Sequence, residues 1–289
     1  MSNHLISAQK QMTGMFGHPV AENPIDKMFD AVYAHYGLNW QFWKMNIHSA
    51  ADLPIAVAGI KAMGFAGFCI TVPYKIEVMK NLDHLDQDVK LIGAANYVTI
   101  ENGALIGHNN DGKGVVKAIQ KVTSITGKRV VMLGAGGAGR AMAVEIARAG
   151  ARCLTVITRR EAQGREVADL VHRATGIATD WILWSGEIPI PEGTQILLNA
   201  THLGALPEKE LVPIDWKSLS SEAVVVDVIT NPRMTPFLEK AREKGCLVVD
   251  GVEMLVQLAM QIFEAWTRIK PDEAVFQCAV EKALNESYI

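Results

Sequence analysis

The sequence predicts an α/β protein with two domains, and three observations lead to this fold class. The chain has 289 residues, more than the roughly 100–200 of one usual domain. Hydrophobic residues make up 49% and charged residues 20%, which is ordinary globular usage and excludes a disordered chain. Short apolar runs typical of buried strands alternate with amphipathic helical segments, which is the pattern of sheets covered by helices.

The charge balance and the N-terminal segment limit the possible partners. The 28 Lys and Arg against 31 Asp and Glu give a net charge of −3. The chain therefore lacks the excess of positive charge with which proteins bind nucleic acid or an anionic membrane. The first residues lack the pattern of a signal peptide, and no apolar run approaches the roughly 18 residues of a membrane span. The four cysteines and eight histidines lack the spacing of a metal site. We expect a cytoplasmic monomer or homodimer that binds a small molecule, and neither nucleic acid, membrane nor metal.

The first third of the chain predicts a mixed sheet. Residues 13–17 and 42–47 are typical of short buried strands, and residues 24–36 between them have helical apolar spacing. A second helix ends at Gly64, before another apolar run. Two apolar runs then flank the dipeptide Asn102-Gly103, which is a strong hairpin signal. A hairpin within a βα pattern indicates that parallel and antiparallel strands share one sheet.

The second block begins with a glycine-rich turn between an apolar strand and a helix, formed by Gly134, Ala135, Gly136, Gly137, Ala138 and Gly139. In this context the first glycine makes the tight turn and the second lets the backbone approach a pyrophosphate. The small residues that follow let the helix and the strand pack closely, and the N–H groups at the helix start provide an anion site. The pattern predicts a Rossmann-type doubly wound domain that binds a dinucleotide. A glycine turn without a ligand is the alternative.

The end of the next strand indicates which dinucleotide binds. NAD-specific folds usually have Asp or Glu there for the ribose 2′-hydroxyl, whereas this chain has Thr158, Arg159 and Arg160, with Arg165 one turn later. Guanidinium groups suit a 2′-phosphate by charge and by bidentate geometry. The sequence therefore favours NADP. The nearby Glu161 weakens this preference, and solvated surface arginines are the alternative interpretation.

Polar residues next to apolar strands mark a second candidate site. Lys75, Asn96 and Asp111 lie at such positions, where α/β proteins open into a ligand crevice. A desolvated lysine can deliver or remove the carbinol proton of a hydride transfer, and an aspartate beside it can hold the ammonium group. Spacing alone leaves a surface ion pair as an equal alternative.

A series of short motifs, in order along the chain, carries a family resemblance. They are Thr71-Val-Pro-Tyr-Lys75, Gly93-Ala-Ala-Asn96, Asn109-Asn-Asp111-Gly112, the glycine turn, Asn199-Ala-Thr201, Asn231-Pro232-x-x-Thr235-Pro and Gly251-x-x-Met254-Leu-Val. Together they closely resemble the shikimate dehydrogenase family over nearly the whole chain.

The resemblance implies a substrate-binding catalytic domain (1–112 and 246–289), an NADP domain (113–245) and a cleft between them. It implies reversible hydride transfer between NADP(H) and 3-dehydroshikimate or shikimate, or a related cyclic hydroxy acid, within aromatic amino acid biosynthesis and without a metal. Lys75 and Asp111 match the family's catalytic pair, and Thr71 and Asn96 match substrate-binding residues. The further cofactor-binding residues that it implies are Asn199, Thr201, Val228 and Gly251.

The expected carboxylate end of the site departs from the family. The family's early loop has a pattern like HSxSP, whose two serines hold the substrate carboxylate, whereas residues 17–24 read GHPVAENP and contain no serine. Thr230 replaces a family tyrosine, and Leu258 replaces a glutamine, although Gln257 lies beside it. Asn23, Thr230 and Gln257 are the remaining candidates for this end. We expect weak activity on shikimate. Quinate, an aminoshikimate analogue, another cyclic carbonyl and a non-catalytic metabolite sensor are the alternatives.

Overall fold

The computed structural model describes residues 10–206 and 210–286, which form two compact units. The first unit contains the described residues up to Asn110 and those from Ala259 onward, and the second contains Asp111–Leu258. Among the described residues, no helix combines the length and the apolar character needed to cross a membrane.

The elements up to Asn110 alternate between strands and helices. They are β1 (Gln11–Gly17), α1 (Ile25–His35), β2 (Trp40–Asn46), α2 (Leu53–Ala62), β3 (Gly67–Ile70), β4 (His84–Leu85), α3 (Gln87–Ile92), β5 (Tyr97–Glu101) and β6 (Ala104–His108).

The chain then forms the second unit. Its elements are α4 (Asp111–Gln120), β7 (Arg129–Leu133), α5 (Gly137–Arg148), β8 (Cys153–Thr158), α6 (Glu161–Thr175), β9 (Thr179–Leu183), β10 (Ile188–Pro189), β11 (Ile196–Asn199), β12 (Ile214–Asp215), β13 (Val224–Asp227), α7 (Pro236–Glu243) and β14 (Leu247–Val249). Helix α8 (Gly251–Thr267) and helix α9 (Glu273–Glu286) complete the chain.

The sheet of the first unit is mixed, as the sequence predicts. Its strand order is β2-β1-β3-β5-β6-β4, with β1 parallel to β2 and β3, and β5 antiparallel to β3 and β6. The predicted hairpin joins β5 and β6. Asn102 and Gly103 at its turn have φ angles of 51° and 79°, and a two-residue turn of this kind requires positive φ at both positions.

Aromatic side chains form much of the first unit's core. Phe29 of α1 stacks on Phe42 of β2 with ring centroids 4.9 Å apart, and Phe29 also contacts Trp266 at 5.6 Å. The Trp266 indole N–H donates a 3.0 Å hydrogen bond to the Val98 carbonyl of β5. Gly67 makes this contact possible, because a Cβ there would overlap the indole ring and lie 2.5 Å from the Val98 oxygen.

The sheet of the second unit is wholly parallel. Its strand order is β14-β13-β11-β7-β8-β9, which becomes 6-5-4-1-2-3 when the strands are counted within the sheet. This is the order of a doubly wound dinucleotide-binding sheet, and the direction of winding reverses between β7 and β11. The α/β fold class, with a mixed first sheet and a Rossmann-type second sheet, is confirmed.

Two glycine substitutions test the packing of the first unit. We expect Gly67→Ala to lower the free energy of unfolding by about 1–3 kcal/mol, because the new methyl group overlaps the Trp266 indole and the β5 backbone. Gly59→Ala in α2 is the matched control. Its Cβ meets only the Met63 methyl at 3.9 Å, so the higher helix propensity of alanine should raise stability by about 0.5–1 kcal/mol. Urea titration measures both, and equal effects of the two substitutions would contradict the packing argument.

Candidate active site

The glycine turn between β7 and α5 has the geometry of a pyrophosphate cradle. Gly134 has a φ of 100°, and a Cβ there would lie 3.0 Å from the Ala200 carbonyl oxygen. A Cβ at Gly139 would lie 2.7 Å from the Gly134 oxygen, so α5 packs directly on the turn. A Cβ at Gly136, by contrast, would meet nothing within 4 Å in the described residues. The three glycines therefore serve the turn, the helix packing and an open approach to the backbone, which are the requirements of a bound dinucleotide.

The start of α5 adds the electrostatic part of this cradle. Gly136 is the N-cap of α5, and its carbonyl accepts the first helical hydrogen bond, from the Arg140 N–H at 2.9 Å. The N–H groups of the first helical turn carry partial positive charge and favour an anion. Gly137 and Ala138 lie in this turn and Ala135 lies in the preceding loop, so the predicted glycine-turn residues lie together.

A buried polar network joins the ends of β11 and β13, next to the glycine turn. Asn199 and Asp227 end these strands at matching register positions, and the Asn199 Nδ2 donates to the Asp227 Oδ1 at 3.1 Å. The Asn199 Oδ1 accepts hydrogen bonds from the N–H and the hydroxyl of Thr201, at 3.0 and 2.7 Å. The Thr201 methyl would lie 3.0 Å from a Cβ at Gly134. The network therefore holds the chain that flanks the cradle.

Asp227 is fully buried and accepts several hydrogen bonds. The Thr235 hydroxyl donates to its Oδ2 at 2.6 Å, and the Ile229 N–H donates to its Oδ1 at 3.1 Å. Burial nevertheless raises the pKa of Asp227 to about 7, against the opposing effect of these hydrogen bonds. Neither Asp227 nor Thr235 is among the predicted site residues. The sequence signal for Asp227 is a polar residue at the carboxyl end of an apolar strand. The signal for Thr235 is a threonine followed by proline at the start of a helix.

The remaining cofactor candidates lie around the same edge. The Val228 N–H donates to the Asn199 carbonyl oxygen at 3.2 Å, which continues the network. Gly251 lies against the backbone of residues 228–229, where a Cβ would overlap the Ile229 carbonyl. Thr230 is half-buried in the following loop. The second unit thus brings Asn199, Thr201, Val228 and Gly251 together.

The end of β8 carries the residues expected to select the dinucleotide. Thr158 is buried, whereas Arg159 and Arg160 are exposed. The Arg165 Nη2 forms an ion pair with the Glu161 Oε1 at 2.8 Å. The negative charge of Glu161, which is expected from the sequence to weaken the preference for NADP, is therefore paired with Arg165. The exposed pair Arg159 and Arg160 sits at the strand end where the ribose of a dinucleotide lies.

Backbone hydrogen bonds bring Thr71, Lys75 and Asn96 together in the first unit. The Thr71 N–H donates to the Phe16 carbonyl at 2.8 Å, which continues the pairing of β3 with β1. The Lys75 carbonyl accepts from the Ala95 N–H at 2.8 Å, and the Asn96 carbonyl accepts from the Ile70 N–H at 2.8 Å. The lysine and asparagine segments are therefore held side by side at the end of β3.

Asn96 is paired with an asparagine that the sequence does not predict as a site residue. Its Nδ2 donates to the Asn110 Oδ1 at 2.8 Å, and its Oδ1 accepts from the Asn110 N–H at 3.0 Å. Both residues are buried. Asp111 is the next residue and the first of α4, and it is only 3% exposed. The chain that leads into Asp111 is therefore fixed to Asn96.

The loop between β1 and α1 is held by a lysine side chain. The Lys44 Nζ donates to the carbonyl oxygens of Ala21 and Asn23 at 2.8 and 2.9 Å, and it also lies 3.1 Å from the Asp26 carboxylate. The His18 N–H donates to the Val72 carbonyl at 2.9 Å, which places the loop beside the residues that follow β3. The loop is thus part of the same edge as Thr71.

Two candidates for the carboxylate end already have partners in the structure. The Asn23 Oδ1 accepts a 3.0 Å hydrogen bond from the Ile25 N–H at the start of α1. Gln257 is buried in α8, and its Nε2 donates to the Glu253 Oε1 at 3.2 Å. Glu253 in turn forms an ion pair with Lys121.

The predicted site residues thus belong to different units. Asn23, Thr71, Lys75 and Asn96 lie in the first, and Asp111, Thr230, Gln257 and the cofactor candidates lie in the second. Within the described residues, no group of three His, Cys, Asp or Glu side chains is arranged to hold a metal ion.

The buried carboxyl of Asp227 should make stability depend on pH. Its pKa of about 7 in the folded protein lies above its ordinary value of 3.8, so the folded protein binds this proton more tightly than the unfolded chain. The stabilisation is complete below the ordinary value and is lost as the pH rises through about 7. Between pH 5 and pH 8 the free energy of unfolding of the parent should therefore fall by about 2 kcal/mol relative to Asp227→Asn.

Denaturant titrations at the two pH values measure this difference. Asp169→Asn, at an exposed position of α6, is the control and should run parallel to the parent. A parent and an Asp227→Asn variant with parallel pH dependence would show that Asp227 titrates alike in both states.

Sequence similarity places the chain in a family. The family model described as the shikimate dehydrogenase substrate binding domain matches residues 15–98. The NADP(+)-dependent shikimate dehydrogenase of Methanococcus aeolicus is 34% identical over 278 residues, covering 96% of this chain and 99% of the relative.

Solved structures of related enzymes are similar to this chain over nearly its whole length. A shikimate dehydrogenase crystallised with NADP+ is 30% identical, with a TM-score of 0.87 and 96% of each chain covered. The ligand-free 5-ketofructose reductase of Gluconobacter sp. strain CHM43 is 41% identical, with a TM-score of 0.85, and the match covers 95% of this chain and 99% of that chain. The chain therefore belongs to the shikimate dehydrogenase family and is an NADP-dependent dehydrogenase that acts on a CH–OH group.

Proposed function

We propose that this chain catalyses reversible hydride transfer between NADP(H) and a small polyhydroxylated ketone that carries no carboxylate. The observation that carries the proposal is the loop of residues 17–24, which lacks the family's serines although Thr71, Lys75, Asn96 and Asp111 are all present. The 41% identity to an enzyme named for 5-ketofructose, an uncharged sugar, supports the same substrate class.

The charges around this loop support an uncharged substrate. The Lys44 ammonium donates to two backbone carbonyls of the loop and pairs with Asp26 of α1, so its positive charge is already compensated. An anion that leaves water needs hydrogen bonds or a positive charge in return, whereas sugar hydroxyls need only neutral donors and acceptors.

We assign the first unit to the substrate and the second to the cofactor. The match of a substrate-binding domain to residues 15–98 supports the first assignment. The glycine turn would hold the pyrophosphate, Arg159 and Arg160 the 2′-phosphate, and the edge formed by Asn199, Thr201, Val228 and Gly251 the nicotinamide half. When bound, the nicotinamide supplies or accepts the hydride.

Lys75 and Asp111 would move the proton that accompanies the hydride. In the reduction, the Lys75 Nζ gives a proton to the carbonyl oxygen as it becomes a hydroxyl, and in the oxidation the neutral amine takes that proton back. The Asp111 carboxylate would accept a hydrogen bond from the same hydroxyl. Asn96 and Thr71 would hold neighbouring hydroxyls and so orient the carbinol carbon.

Shikimate is the second candidate substrate. The archaeal relative named for it is 34% identical and matches this chain over nearly its whole length. Under this alternative, backbone N–H groups together with Asn23 and Thr230 would have to replace the missing hydroxyls at the carboxylate end.

Substitution of the catalytic pair tests the proton transfer. We expect Lys75→Ala to lower kcat by about 10²–10⁴, the usual contribution of a positioned acid or base, with a smaller change in KM. Asp111→Asn should also lower kcat, and the double variant should lose much less than the sum because the two side chains act together. Lys90→Ala, at an exposed lysine of α3, is the control. Undiminished turnover by Lys75→Ala would refute the mechanism.

A substrate comparison tests the missing carboxylate grip. With NADPH as the reductant, kcat/KM for 5-ketofructose should exceed that for 3-dehydroshikimate by about 100-fold or more. The reason is that each lost hydrogen bond to an anion costs about 1.5–3 kcal/mol. Replacing the Ala21–Asn23 segment by a serine-containing HSxS segment, together with Thr230→Tyr, should raise activity on shikimate, and Thr230→Tyr alone serves as the control. A parent with fast turnover and a micromolar KM on shikimate would favour the second candidate.

A further inference from the structure

An aromatic side chain next to the expected 2′-phosphate position has no assigned role. Trp184 directly follows β9, and its N–H donates a 2.8 Å hydrogen bond to the Thr158 carbonyl at the end of β8. Its indole is half-buried and packs against the hydrophobic core of the second unit. The ring is thus fixed both by the backbone and by the core.

The guanidinium of Arg159 lies over this ring. The Arg159 Cζ is 5.8 Å from the centroid of the Trp184 ring, which is within the range of a cation–π contact. The contact joins the ends of two neighbouring parallel strands, where a doubly wound fold places the ribose of a dinucleotide.

We propose that Trp184 is a positioning residue that determines NADP specificity, because it holds the Arg159 guanidinium ready for the 2′-phosphate. The inference goes beyond the proposed reaction and depends only on the choice of dinucleotide. A guanidinium held over an aromatic ring by a cation–π contact keeps its N–H groups available, and these can form paired hydrogen bonds to phosphate oxygens. The ring also leaves the positive charge uncompensated, unlike a carboxylate partner.

Preorganisation gives this contact its effect on affinity. A long arginine side chain loses rotamer freedom when it binds a phosphate, and a partner that already restrains it reduces this loss. A cation–π contact at an exposed site contributes about 0.5–1 kcal/mol, which corresponds to a change of about two- to fivefold in a dissociation constant. The effect should therefore be moderate and limited to ligands that carry the 2′-phosphate.

A second arginine–tryptophan pair in the same region supplies the contrast. The Arg165 Cζ lies over the Trp181 ring at the same distance of 5.8 Å. Arg165 also has the Glu161 carboxylate as an ion-pair partner at 2.8 Å, so its charge is already compensated. We therefore assign the role to Trp184 and none to Trp181.

Isothermal titration calorimetry of the full-length protein with NADP+ and with NAD+ tests the inference without measuring activity. Trp184→Leu, which keeps an apolar side chain against the core, should raise the Kd for NADP+ by about two- to fivefold and leave the Kd for NAD+ unchanged. Trp184→Phe keeps an aromatic face and should recover most of the affinity. Trp181→Leu is the matched control and should leave both constants unchanged.

A double variant separates positioning from general stability. Arg159→Leu should weaken NADP+ binding more than Trp184→Leu does, and the two together should weaken it no further than Arg159→Leu alone, because the ring acts through the arginine. Equal weakening of NADP+ and NAD+ by Trp184→Leu, or additive losses in the double variant, would overturn the inference. Should Trp184→Leu fail to fold, Trp184→Met replaces it with the same expectations.

The parent titration keeps the cofactor choice distinct from the role of the ring. A parent that binds NADP+ and NAD+ equally would overturn both the cofactor choice and this inference. A parent that prefers NADP+, combined with a Trp184→Leu variant of unchanged affinity, would overturn the inference alone.

Discussion

The hydrogen bond from the Asn199 amide to the Asp227 carboxylate is the contact on which the functional edge of the second unit depends. Both side chains end buried strands, and a buried polar group must find partners. Asn199 and Asp227 bond to each other and to the loops that follow their own strands. These hydrogen bonds restrict the conformations of both loops. One of these loops lies against the glycine turn at Gly134, so the position of the turn depends on the same network.

In the first unit, the buried polar side chains that hold a loop are uncharged. Asn96 and Asn110 share two hydrogen bonds in a buried position, where an amide pair satisfies donors and acceptors without the desolvation cost of a charge. Asp227 does carry that cost, since burial raises its pKa although hydrogen bonds act against the rise. The two networks therefore brace their loops alike and differ in their sensitivity to pH.

The parts of the site that follow from local backbone requirements can be predicted from the sequence. The glycine turn and the Asn102-Gly103 hairpin are examples, since each needs particular residues at particular φ angles. Two other contacts cannot be predicted in this way. Asn199 becomes a neighbour of Asp227, and Trp184 a neighbour of Arg159, only through the order of the strands in the sheet. Strand β9 itself gives a weak signal, because all five of its residues are partly or fully exposed.

Main-chain atoms hold both candidate site segments of the first unit. Thr71 and Lys75 are tied to the sheet by backbone hydrogen bonds, which do not depend on side-chain identity. The loop of residues 17–24 is held by the Lys44 side chain, through carbonyl oxygens that any sequence provides, and by backbone hydrogen bonds such as that from the His18 N–H to the Val72 carbonyl. Most of these contacts use main-chain atoms, so the loop can exchange side chains while Lys75 keeps the backbone hydrogen bond that holds it. Enzymes named for a neutral sugar, 5-ketofructose, and for an acid, shikimate, both match this fold, with TM-scores of 0.85 and 0.87.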